Sequence, residues 1–130
     1  MLRLLVIIFF SMPIVCSAES CDNARKAPGF ASDACLEEAA GQAQSEMMRE
    51  YKSLLQHFDG TRRSLLSSSQ KSWEDYKKRQ CELEYDFTRI MHREDSQHGT
   101  MSKTFYLICL LRFNEQRLQE LKVVEMFSDD

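Results

Sequence analysis

Cysteines at positions 16, 21, 35, 81 and 109 of this 130-residue chain are the side chains best suited to chemistry. Their thiols either ligate a metal or form disulfides in an oxidising compartment. A zinc site needs closely spaced cysteine or histidine pairs, and neither the cysteines nor His57, His92 and His98 supply them. Gly29, Gly41, Gly60 and Gly99 are scattered and form no phosphate-binding loop, so no cofactor is expected. Ser67, Ser68 and Ser69 lack the context of an activated nucleophile. The carboxylates Glu37/Glu38 and Glu82/Glu84 could do acid–base work only in a cleft that shifts their pKa values. The residues therefore predict disulfides and no enzyme.

The N-terminus supports that choice of chemistry. Arg3 precedes an apolar run from Leu4 to Met12, Pro13 breaks it, and small residues follow at Cys16, Ser17 and Ala18. This is the pattern of a secretory signal peptide cleaved after Ala18. The run is shorter than a spanning helix needs, so no permanent membrane anchor is expected. Residues 19–130 then form one domain with four cysteines, Cys21, Cys35, Cys81 and Cys109. Loss of Arg3 leaves 16 basic against 20 acidic residues, a net charge of −4. The absence of a basic excess excludes a dedicated nucleic-acid binder. A composition of 43% hydrophobic and 28% charged residues, with only four Gly and two Pro, excludes collagen-like and fully disordered chains.

Three amphipathic stretches must position these cysteines. After a polar arm from Glu19 to Ala31, Ser32 or Asp33 caps a first helix. Its stripe is Leu36, Ala39, Ala40, Ala43, Met47, Tyr51, Leu54, Leu55 and Phe58. Asp59-Gly60 stops it, and Thr61 caps a second helix with the stripe Leu65, Leu66, Ser69, Trp73, Tyr76, Gln80, Leu83 and Phe87. A polar linker from His92 to Gly99 leads to a third stripe: Phe105, Tyr106, Cys109, Leu110, Phe113, Leu121 and Val124. The expected fold is all-α, a small antiparallel three-helix bundle stabilised by two disulfides. Phe105, Leu107, Ile108 and Leu111 surround the third helix more completely than one stripe requires. Either that helix is central or it docks a partner or a second copy, so the oligomeric state is open.

Four cysteines allow three pairings. Cys21–Cys35 would pin the arm to the first helix, and Cys81–Cys109 would clamp the second hairpin; this pairing is preferred. The competing Cys35–Cys81 bond has geometry on its side, because those residues are almost symmetric about Asp59-Gly60. Trp73 and Tyr76, one turn apart, are read as core, with interface anchoring as the alternative. Lys71, Lys77, Lys78 and Arg79 are read as the exposed side of the same helix. Arg117 lies near the inner stripe of the third helix and needs a carboxylate if buried, with Glu84 the candidate.

Three stretches of this chain resemble the LprI-type lysozyme inhibitor family. They are Cys21-x13-Cys35 with Glu46-Met47-x3-Tyr51-x2-Leu54; Gln70-x2-Trp73-x2-Tyr76-x4-Cys81-x2-Glu84; and Gly99-Thr100 with Tyr106-x2-Cys109-Leu110 and Arg117-x2-Glu120-Leu121. The chain departs from the family pattern where Lys77 and Lys78 replace Arg and Asp, where Asn114 replaces Thr, and where Met48 replaces Asn. The resemblance implies a helical, disulfide-bonded envelope protein, periplasmic or secreted, with Trp73, Tyr76, Glu84, Tyr106 and Arg117 in its structural core. It also implies a protein partner, lysozyme, as the target of inhibition. An acidic chain gains encounter rate with a basic lysozyme. The obstructing element is expected in the linker, at Arg93, Glu94, Asp95, Ser96, Gln97 and His98, because loops between rigid helices commonly carry binding. The alternative is a secreted helical protein with another envelope partner, in toxin immunity or envelope assembly.

Overall fold

A computed structural model of the chain describes residues 33–91 and 99–128. Among the described residues are three helices and no strand: α1 (Asp33–His57), α2 (Gly60–Met91) and α3 (Gly99–Met126). α1 forms where the three- and four-residue recurrence of apolar side chains is strongest. Its Leu36, Ala40, Ala43, Met47 and Leu54 are all buried. The turn after it needs Gly60, whose φ of 38° lies in the left-handed region. A Cβ there would meet nothing within 4 Å, so the requirement is conformational rather than steric. The Arg63 amide then donates to the Asp59 carbonyl at 3.1 Å and starts α2.

The central helix is α3, which packs on both others far more closely than they pack on each other. Leu107 and Leu111 meet Leu36, Ala40 and Ala43 of α1. Leu118 and Leu121 join Met47 and Leu54 of α1 and Leu66 of α2. Cys109 and Phe113 pack with Cys81, and Trp73, Tyr106 and Leu110 cover them. Serving two neighbours explains why α3 is apolar nearly all round. The pairings also give direction. Asp33 lies beside Thr104, and Leu54 beside Leu121, so α1 and α3 run the same way. Cys81 bonds Cys109 while Leu66 reaches the level of Leu121, so α2 runs against them. The topology is up-down-up, as expected.

The Cys81–Cys109 disulfide is present, with its Cα atoms 5.6 Å apart, and it excludes the competing Cys35–Cys81 bond. Cys35 is buried and is not a free thiol. Its expected partner Cys21, the signal peptide, the arm and the linker residues 92–98 lie outside the described residues. No helix among the described residues is long and apolar enough to cross a membrane.

The inward face of α2 differs from expectation. Leu66, Gln70, Trp73, Lys77 and Cys81 turn toward α3, whereas Leu65, Tyr76, Leu83 and Phe87 are exposed. The two stripes sit only about 100° apart around the helix at 100° per residue. Bonding Cys81 to Cys109 selects the stripe that contains Cys81 and rotates the other outward.

The disulfide closes a loop with a sequence separation of 28. Chain entropy values such a loop at roughly 3–4 kcal/mol. Replacing Cys81 and Cys109 together with Ser is expected to lower unfolding stability by about that amount. Denaturant titration with the helical circular dichroism signal will measure it.

Candidate functional site

The register set by Cys81–Cys109 brings a layer of polar side chains into the middle of the bundle. Arg117 is only 8% exposed. Its guanidinium donates to Gln70 Oε1 at 3.1 Å, to Ser69 Oγ at 3.0 Å and to Glu120 Oε2 at 2.9 Å. Gln70 is itself buried, and its Nε2 donates to Glu74 at 3.1 Å and contacts Met47 Sδ at 3.5 Å. One turn along, the buried Lys77 donates from Nζ to Asn114 Oδ1 at 3.1 Å. Asn114 Nδ2 donates in turn to the Ala40 carbonyl at 3.2 Å. This chain of bonds ties all three helices together at one level. Trp73 is wedged between two cations, with Lys77 Nζ 4.5 Å and the Arg117 Cζ 5.8 Å from its ring centroid. Its electron-rich face compensates part of the cost of burying them.

Lys77 shows that cost. Burial pushes its pKa below the usual lysine value, and the nearby Glu74 works in the opposite direction. Glu50, between α1 and α3, is the corresponding acid. Burial raises its pKa first, the charge of Glu125 and a hydrogen bond with that carboxylate raise it further, and Lys122 and Arg49 pull it down. Glu50 Oε1 is buried with no donor among the described residues, which only a proton shared with Glu125 would satisfy.

At one end of the bundle the helices that flank residues 92–98 are held tightly. Besides the disulfide, Arg112 pairs with Glu84 at 2.7 Å, and Tyr85 meets Tyr106 edge to face at 6.1 Å. Lys103 pairs with Glu37 at 2.6 Å, tying the start of α3 to the start of α1. That ion pair raises the Lys103 pKa.

The structure relocates several residues singled out in the sequence. Arg117 is buried as anticipated, but its carboxylate is Glu120, one turn away on the same helix. Glu84 sits near the disulfide, about three turns from Gln70 on α2, and pairs with Arg112 instead. Trp73 is half-buried between two core clusters. Tyr76 is not core: it is 54% exposed and touches only the edge of Phe113, with ring centroids 5.5 Å apart. Lys77 is not on the exposed side; it lies over Trp73. Glu84 and Tyr106 are half-buried, and Arg93, Glu94, Asp95, Ser96, Gln97 and His98 lie outside the described residues. Gln70, Lys77 and Asn114 are the polar partners that periodicity missed. Counting back from Cys81 in steps of four, four and three gives positions 77, 73 and 70, which is the signal that finds two of them.

Among the described residues, no group of three or more His, Cys, Asp or Glu could hold a metal ion. The polar layer spends its donors and acceptors internally, which suits a rigid scaffold. The fold and this layer define a small disulfide-clamped helical bundle whose surfaces are left for contact. The chain belongs to the lysozyme inhibitor LprI family, whose model matches residues 21–121. No curated protein and no solved structure matches it.

Two outcomes follow from the electrostatics. Arg117→Ala strands the buried Gln70 acceptor and is expected to lower stability by about 2–3 kcal/mol. Arg112→Ala, which breaks an exposed pair, is expected to lower it by less than about 1 kcal/mol. Denaturant titration separates the two. Because the folded pKa of Glu50 is raised, its charged form is penalised at pH values above that pKa. The penalty fades as pH falls through it toward the unfolded value. Glu50→Gln should therefore raise the melting temperature at neutral pH, with the gain shrinking in acid; melting curves across pH 4–8 check the trend.

Proposed function

We propose that this protein is exported, binds lysozyme and blocks its peptidoglycan-cleaving cleft. The observation that carries the reading is membership of a lysozyme inhibitor family, with the family model spanning the described bundle almost completely. The acidic charge of residues 19–130 favours encounter with a basic lysozyme. In this reading residues 1–18 are a signal peptide, Cys21 pairs with Cys35, and the segment Arg93–His98 obstructs the cleft. Support for that last assignment is the rigidity of its flanks: the disulfide, Arg112–Glu84, Tyr85–Tyr106 and Lys103–Glu37 all brace the end of the bundle from which the segment projects. A loop borne on braced helices loses less entropy on binding than a free one.

A second reading, a helical interaction protein with another envelope partner, is favoured by the exposed apolar side chains along α2.

Lysis of a peptidoglycan suspension by several lysozyme types, with and without residues 19–130 made in an oxidising compartment, tests the proposal. Stoichiometric inhibition is expected, strongest at low salt and abolished by reduction and alkylation. Replacing Arg93, Glu94, Asp95, Ser96, Gln97 and His98 with Ala should weaken inhibition at least tenfold, about 1.4 kcal/mol, without moving the melting temperature. Unchanged inhibition would remove the linker assignment. Absence of inhibition by the folded protein against every lysozyme would favour the second reading.

A further inference from the structure

The outer flank of α2 is more apolar than the flank it buries. Inward lie Leu66, Gln70, Trp73, Lys77 and Cys81, two of them strongly polar. Outward lie Tyr76, Leu83, Phe87 and Ile90, exposed by 54%, 60%, 62% and 58%. Single exposed apolar residues are ordinary on any protein surface. Four on one stripe, across the last four turns of a helix, are not. With the half-buried Gln80 they follow the alternating four- and three-residue spacing, 76, 80, 83, 87 and 90, of a helix–helix seam.

The charges beside this stripe indicate what covers it. Arg79 and Asp86 are both exposed and lie seven residues apart along the same edge of the seam. Arg79 has no ion-pair or hydrogen-bond partner among the described residues. Asp86 accepts two bonds from Arg89, at 2.8 and 3.3 Å, and both end on Oδ1, so Oδ2 remains open. If a second α2 lies antiparallel with the two-fold axis at Leu83, the seam closes on itself. Leu83 meets its symmetry mate, Tyr76 meets Ile90 of the other copy, and Gln80 meets Phe87. The same alignment sets each Arg79 against the Asp86 of the other copy, twice per pair. An edge carrying one cation and one anion, equidistant from a central apolar residue within half a residue, is self-complementary in the way a two-fold interface requires.

We propose that the protein self-associates through this face, as a two-fold dimer with α2 antiparallel to α2 of a second copy. The interface uses none of the groups in the polar layer or the core, and it is independent of lysozyme binding. Four half-exposed side chains per copy make a small contact, at the low end of specific interfaces, so the dimer is expected to be concentration-dependent.

Sedimentation equilibrium of the disulfide-bonded protein over a wide concentration range reads this directly. Leu83→Glu puts two like charges on the axis and is expected to raise the dimer dissociation constant roughly 100-fold. Leu83 is exposed, so the melting curve should not move. Arg79→Asp and Asp86→Arg should each weaken the dimer by roughly three- to tenfold, and the double exchange should restore it. That recovery would distinguish the two-fold pairing from general stickiness. A monomer at every concentration would overturn the proposal and leave the face to a different partner or to another segment of the chain. A dimer that survives both Leu83→Glu and the single charge reversals would overturn it as well.

Discussion

The covalent bond between Cys81 and Cys109 fixes the register of α2 on α3, and most of the interior follows from it. With that one point pinned, antiparallel helices bring successive turns level in sequence. Lys77 arrives at Asn114, Trp73 and Gln70 at Arg117, and Leu66 at the level of Leu121. A slip of one turn would leave the Arg117 guanidinium without Gln70 and the Lys77 ammonium without Asn114. Two buried cations without acceptors would be far more costly than any apolar contact such a slip could gain. The disulfide and the polar layer thus enforce one alignment by different means, one covalent and one through the penalty for misalignment.

The polar layer also explains two departures from the family pattern together. Lys77 and Asn114 stand where the pattern has Arg and Thr, and they are hydrogen-bonded to each other. A lysine's single ammonium needs a carbonyl acceptor at the right depth, which the Asn114 amide supplies while its Nδ2 holds the Ala40 carbonyl of α1. The shorter threonine side chain could not bridge the same span to α1. The pair therefore links three helices through residues that looked, one at a time, like unrelated substitutions.

Function in this architecture belongs to surfaces. The braced end, where α1 begins and α2 passes to α3, presents a connecting segment on rigid supports. The outer flank of α2 presents a hydrophobic seam along the side of the bundle. They occupy different parts of the molecule, so a target could be held at the end while α2 is engaged elsewhere. Acidic charge then acts on encounter and the apolar seam on association, two forces that respond oppositely to salt.

The helices, their order and the turn between the first two were legible in the sequence, because they depend on local chemistry. Apolar recurrence marked α1, and Gly60 supplies the left-handed turn that ends it. The cysteine spacing favoured the Cys81–Cys109 clamp that is present. The crowding of apolar residues on α3 offered a central position as one of two readings, and packing chose it. Tertiary structure alone decided which flank of α2 turned inward. Two stripes about 100° apart compete on that helix, and the greasier one lost because the disulfide and the partners of Lys77 and Arg117 lie on the other. For the same reason Tyr76 became surface, Lys77 became interior, and Arg117 found Glu120 rather than Glu84. Periodicity reports how much apolar surface a helix carries at each angle. Which angle is buried depends on what the neighbouring helix offers there, and that is a property of the assembled bundle.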